Sequence, residues 1–185
     1  MTMKIRYAII TAAAAVLLTS ASCTKQSREM VYSSQETKIE AFVTKHLETT
    51  PDARVVYNGG SVRIVLSEGS GVELTARGKA AIDFAGYNFS SGSISSQNLF
   101  ATNNYDFAMS SHWDLSDESV YEPLTVDLTD SNTIDGLRSG LEGVREGEEC
   151  YILFSGKHAF GKNKNGTIPA NSPLAFRVWV RTIEN

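Results

Sequence analysis

Few side chains in this sequence have both the type and the spacing to do acid–base, nucleophilic or metal chemistry. Cys150 lies in an alternating stretch, where it shares a face with Ile152 and Phe154; that pattern describes a small buried hydrophobe rather than a reactive thiol. His46 sits beside the apolar stripe of a helical pattern and reads as a helix-edge residue. His112 precedes an acidic patch at Asp114, Asp117 and Glu118. A metal centre needs ligands at fixed spacing on a rigid frame, and this segment reads instead as a solvated acidic loop. What stands out is apolar. The stretch from Gly136 to Val180 holds a short helical pattern, a turn into an alternating strand, a Gly/Asn/Lys loop closed by Ile168-Pro169, and a second alternating strand. Folded together, these make a helix and two strands around one apolar pocket, and such a pocket acts by binding.

The elements that must position that pocket follow from periodicity. Ile39, Phe42, Val43 and Leu47 recur at helical spacing behind a capping-box pair, Ser33 and Glu36, and Pro51 ends the helix. This helix packs either on its own domain or on a partner protomer. The run VVYNGGSVRIVL then places Asn58-Gly59-Gly60 between two β-rich segments, the composition of a tight hairpin. Lys79 to Tyr87 reads as a strand with Ala80, Ile82 and Phe84 on one face, and Pro123 to Leu128 resumes the alternation with Leu124, Val126 and Leu128. Between them, Ser90 to Ser96 carries five serines and reads as a loop. Asp130 to Thr133 offers N-cap residues for a helix on Ile134, Leu137, Leu141 and Val144. Gly136, Gly140 and Gly143 make that helix poor by propensity, so it needs tertiary packing. Strands over Glu149–Ser155 and Leu174–Val180 complete the set.

At 185 residues, with 42% apolar residues and a net charge of −4, one soluble domain with extensions is expected, and no basic footprint for nucleic acid is present. Lys4 and Arg6 precede an apolar run, Tyr7 to Leu18, of signal-peptide length, followed by Thr19, Ser20, Ala21, Ser22 and Cys23. This resembles a bacterial lipoprotein signal, in which cleavage before the cysteine leaves Cys23 to carry the acyl chains. Ser20 stands where the usual pattern has leucine, and an ordinary secretory signal cut near Ala21 is the competing reading. With Cys23 acylated, Cys150 would have no disulfide partner.

Five blocks are similar, in order and spacing, to FKBP-type peptidyl-prolyl cis-trans isomerases. KAAIDFAGY resembles the family strand ending in His-Tyr-x-Gly, and LFATN its Phe-Asp-Ser-Ser segment. TIDGLRSGLEGVREGE resembles its Val-Ile-x-Gly-Trp helix, KHAFG its Tyr-Ala-Tyr-Gly turn, and NGTIPANSPLAFRVWV its Gly-x-Ile-Pro-Pro-Asn ending. The resemblance covers about Val62 to Ile183 and is strongest from Gly136 onward.

It implies an α+β fold, an FKBP-like curved antiparallel β-sheet wrapped over a short α-helix, with an additional N-terminal helix. The implied organisation is a signal over 1–22, a tether over 23–33, a helical segment over 34–53, and a domain over 54–185 with a loop insertion around 88–122. By position, Phe84, Phe100, Ile134, Leu137, Phe160, Ile168 and Phe176 would line a substrate pocket that needs no acid, base, metal or cofactor. The same seven residues also read as plain core.

Implied partners are prolyl segments of client proteins and the membrane, through Cys23. A homodimer through the N-terminal helix is a further expectation, and the implied location is the bacterial envelope, at the outer membrane facing the periplasm. The chain departs from the family where polar groups orient the peptide. Phe84 and Phe160 replace tyrosines, Ala101 the aspartate, Leu137 the tryptophan and Thr133 the valine. Two functions therefore stand beside each other: an isomerase or folding helper of lowered activity, and a catalytically silent peptide- or protein-binding lipoprotein. A purely structural envelope role is a third.

Overall fold

The computed structural model describes residues 3–113, 115 and 118–185, with side chains from Lys25 onward except at 118 and 119. The side chains of the signal-like segment and of Cys23, like those of Asp114, Asp117 and Glu118, lie outside the described residues. The helices are α1 (Met3–Thr49), α2 (Tyr105–Ser110) and α3 (Asp135–Leu141). The strands are β1 (Val55–Asn58), β2 (Ser61–Ser67), β3 (Lys79–Asn88), β4 (Leu99–Thr102), β5 (Leu124–Asp127), β6 (Glu149–Phe154) and β7 (Leu174–Glu184). Among the described residues, no helix is long and apolar enough to cross a membrane.

All seven strands join one antiparallel sheet in the order β1-β2-β6-β7-β3-β4, with β5 sharing the outer edge of β3 with β4. The hairpin between β1 and β2 turns on Gly59 and Gly60, both at positive φ (55° and 85°), as the Asn-Gly-Gly sequence requires. A bulge between Ala81 and Ile82 in the β3–β7 ladder adds twist to the middle of the sheet.

Strand alternation sends two sets of side chains to two cores. On the inner face, Ala80, Ile82, Cys150, Ile152, Phe154, Leu174, Phe176 and Val178 pack with Leu137 and Leu141 of α3. On the outer face, Val62, Ile64, Ala85, Tyr87, Leu153 and Ala175 pack with Ile39 and Val43 of α1. The stripe of α1 is thus buried on its own domain. His46 lies at the edge of that contact, 6.5 Å from the Phe42 ring and 6.4 Å from the Tyr151 ring.

Three sequence expectations are corrected. The segment assigned to a tether, 23–33, lies within α1, and Ser33 falls inside the helix rather than at its start, because Tyr32 and Gln35 extend the buried stripe upstream. The region assigned to a loop insertion holds β4 and α2, capped by Asn104, whose side chain accepts from the Phe107 N–H. No side chain from Asp130 to Thr133 caps α3; Ile134 precedes it, and Asp130 instead closes its own turn by accepting from the Asn132 N–H at 2.9 Å.

Why a glycine-rich segment is helical at all is answered by the sheet beneath it. A Cβ on Gly136 would lie 2.2 Å from Phe154 Cγ, and one on Gly140 2.2 Å from Ile152 Cγ2. The helix touches β6 directly at both turns. Two inward-facing residues of β2 hold it there. Ser61 Oγ donates to the Gly136 carbonyl; the buried Arg63 guanidinium donates to the carbonyls of Gly140 at 3.0 Å and Glu142 at 2.8 Å, where the helix dipole is negative. Arg63 is itself faced by the fully buried Glu148 carboxylate at 3.3 Å. In an exposed helix, Gly→Ala gains about 1 kcal/mol. Here Gly140→Ala should lose about 1–3 kcal/mol through overpacking, read as a lower urea midpoint at unchanged m-value.

Candidate apolar site between the sheet and α3

Phe176, near the start of β7, is the centre of the site. Its ring lies 5.8 Å from Phe84 (interplanar angle 56°), 5.9 Å from Phe100 (85°) and 5.9 Å from Phe154 (17°). Register explains the grouping: Phe176 pairs with Gly86 on β3 and Ile152 on β6, so it stands where three strands meet. Gly86 leaves the space that Phe100 fills, since a Cβ there would come within 2.6 Å of the Phe100 ring.

All seven residues singled out from the sequence come together. Leu137, Ile168 and Phe176 are buried members of the inner core, and Phe84, Phe100, Ile134 and Phe160 are half-buried and packed against it. Four partly exposed apolar groups thus pack against three buried ones in a single cluster, here called the mouth. Ile134 enters it from the residue before α3, and Phe160 and Ile168 from the loop between β6 and β7. Phe154, absent from the seven, joins the ring cluster as its fourth member; its alternation with Cys150 and Ile152 is the signal that could have placed it there.

A polar residue that sequence reasoning missed positions Phe84. Between the segments of β3 that pair with β5 and with β4, the buried Asn103 side chain takes the place of a strand. Its Oδ1 accepts from the Phe84 N–H at 2.6 Å, and its Nδ2 donates to the Ile82 carbonyl at 3.1 Å and the Glu122 carbonyl at 2.9 Å. Thr102 Oγ1 adds a bond to the Phe84 carbonyl at 2.7 Å.

Asp83, on the opposite face from Phe84, is paired with Arg181, whose Nε lies 2.7 Å from its Oδ2. Cys150 is fully buried, and burial, with the Glu148 charge behind it, pushes its thiol far above the usual range, so it is no nucleophile. His112 is exposed, in a left-handed turn (φ 55°).

This arrangement defines a class. It is an α+β domain whose sheet and short helix enclose an apolar core, with a cluster of partly exposed phenylalanine rings packed against it. The sequence match points to a family: residues 94–181, just under half of the chain, fit the model of the FKBP-type peptidyl-prolyl cis-trans isomerases. Six of the seven mouth residues fall within that match, and Phe84 precedes it.

Solved structures share the fold. FkpA from Escherichia coli is 19% identical with a TM-score of 0.56, over 95% of this chain and 71% of that one. A peptidyl-prolyl cis-trans isomerase from Pseudomonas syringae pv. tomato is 16% identical with a TM-score of 0.57, over 85% of this chain and 96% of that one. The three FKBP domains of wheat FKBP73 align at 16% identity and a TM-score of 0.54, over 71% of this chain; the chain spans 51% of the wheat protein's length. No curated protein sequence matches the chain.

Replacing Asn103 by leucine keeps its approximate volume and removes its three bonds. Each buried backbone group left without a partner costs about 1–3 kcal/mol. Asn103→Leu should therefore lower stability by at least about 2 kcal/mol in urea unfolding, with the largest chemical-shift changes at Phe84.

Proposed function

We propose that the mouth around Phe176 binds Xaa-Pro segments and accelerates their cis–trans isomerisation, as a folding helper whose rate is lowered by its lost polar groups. The observation that carries this reading is the grouping of Phe84 and Phe100 around Phe176, with Ile134, Leu137, Phe160 and Ile168 in the same apolar cluster. Rotation about the prolyl amide faces a barrier of about 18–20 kcal/mol and takes on the order of 10–100 s unaided. The twisted state has lost amide resonance and is less polar than either planar isomer. An apolar, water-poor wall favours it over the ground state, and that difference lowers the barrier without an acid, base or nucleophile.

The second reading, a silent peptide binder, rests on Phe84, Ala101 and Phe160, which carry no hydroxyl or carboxylate to orient the peptide. Each neutral hydrogen bond contributes about 0.5–1.5 kcal/mol net, so losing two or three lowers the rate roughly 10- to 1000-fold. A protease-coupled assay on Xaa-Pro peptides, with the form lacking residues 1–23, separates the readings. Measurable acceleration is expected, and none at micromolar protein would reject catalysis. The triple variant F84Y/A101D/F160Y should turn over faster than the parent. A silent parent with an active triple variant would make the parent a binder.

The envelope location is part of the same proposal and is supported by the lipoprotein-like run into Cys23. Anchoring through Cys23 predicts that Cys23→Ser, expressed in a bacterial host, moves the protein from the membrane pellet to the soluble fraction. Retention in the pellet after washing would reject the anchor. Since α1 spends its main stripe on its own sheet, a homodimer through this helix would have to use its exposed residues Met30 (69% exposed) and Val31 (43%).

A further inference from the structure

Two polar residues on the buried face of α1, Tyr32 and Gln35, lie one helical repeat upstream of Ile39 and Val43 and reach beyond the outer apolar core. They meet the loop between β6 and β7 at its neck. Gln35 Nε2 donates to the Asn171 carbonyl at 2.7 Å, and Gln35 Oε1 accepts from the Gly156 N–H at 2.8 Å. Tyr32 Oη donates to Asn171 Oδ1 at 2.7 Å. The two sides of the neck are in direct contact, since a Cβ on Gly156 would lie 2.4 Å from the Asn171 carbonyl oxygen. Asn171 holds a left-handed backbone, φ 57°.

What the neck encloses makes the contact consequential. Between Gly156 and Asn171 the chain carries Phe160 and Ile168, one wall of the mouth. The bonds continue inward: Asn171 N–H donates to the Gly161 carbonyl at 2.6 Å and Gly161 N–H to the Gly156 carbonyl at 2.9 Å. The His158 carbonyl accepts from the Gly136 N–H at 2.8 Å, joining the same loop to the first turn of α3, beside Ile134 and Leu137. One side chain on α1 therefore closes the segment that carries one wall and braces the other.

We propose that Gln35 is a positioning residue of the prolyl site: helix α1 clamps the Gly156–Asn171 neck and so keeps Phe160 and Ile168 in the peptide-binding arrangement. This inference rests on the prolyl-site reading. Without the clamp, the loop divides its time between packed and open forms, and only the packed form binds. Apparent affinity then falls by the fraction that is packed, whereas saturating peptide restores the packed form. The signature is a raised KM at unchanged kcat.

The test uses the full chain and three variants. Gln35→Met keeps the side-chain volume and removes both bonds. Tyr32→Phe keeps the ring and removes one. Lys38→Met removes a bond of the same kind from α1 to the Ser90 carbonyl, at 2.7 Å, which does not touch the neck. Hydrogen exchange by mass spectrometry over 155–173 should rise about 5- to 100-fold in Gln35→Met, the equivalent of two neutral hydrogen bonds. KM for an Xaa-Pro peptide should rise about threefold or more, with kcat within about twofold. Tyr32→Phe should fall in between, and Lys38→Met should match the parent.

Unchanged exchange in Gln35→Met, or a loosened loop with unchanged KM, overturns the proposal. If Gln35→Met does not fold, Tyr32→Phe decides by the same two readouts. Where the parent binds peptide without turnover, the dissociation constant replaces KM. A parent that neither turns over nor binds rejects the prolyl reading, and the positioning role with it, even if exchange shows the neck opening.

Discussion

The site depends on how closely α3 can lie against β6. At Gly136 and Gly140 there is no room for even a methyl group between helix and strand, and the backbone of α3 rests on the side chains of Phe154 and Ile152. A seven-residue helix with two internal glycines would not persist alone, because nucleation is costly and glycine adds about 1 kcal/mol per residue. The sheet supplies what propensity lacks, through Ser61 at one end of the helix and Arg63 at the other. That seating fixes where Ile134 and Leu137 stand relative to Phe176, and the mouth follows from it. The glycines that weaken the helix in the sequence are the residues that let it take its place.

Much of this was legible because burial on a sheet or helix face has a period. The alternation of Ala80, Ile82 and Phe84, of Cys150, Ile152 and Phe154, and of Leu174, Phe176 and Val178 marked the inner face, and Asn58-Gly59-Gly60 marked the first turn. Periodicity says that a face is buried but not against what. The stripe of Ile39 and Val43 fitted a partner protomer as well as the domain's own sheet, and only the packing with Val62, Ile64 and Leu153 decides between them. The least legible residues are polar ones acting over long sequence separation. Gln35 bonds to a carbonyl 136 residues away, and Asn103 fills a gap in a ladder formed by three other segments. Neither has a local signature, because an amide that replaces a strand's hydrogen bonds looks like any other amide in the sequence.

The two kinds of contact in the mouth bear differently on catalysis. Aromatic walls grip a proline ring about equally in its planar and twisted states, and interactions of that kind raise affinity without raising the rate. The loss of polarity at the twisted amide makes the apolar surroundings selective for the transition state, and Phe84, Phe100 and Phe176 preserve this part. Groups that bond to the twisted peptide and not to the planar one would add to the rate alone, and these are what Phe84, Ala101 and Phe160 lack. On the proposed reading, the chain keeps the desolvating component of a prolyl site and lacks much of the orienting component. Orientation then falls to the frame: to Asn103 behind Phe84, to the seating of α3 behind Ile134, and to α1 behind Phe160 and Ile168. A pocket with few polar guides has to be held in shape by the packing and backbone bonds outside it, which is where this structure concentrates its buried polar side chains.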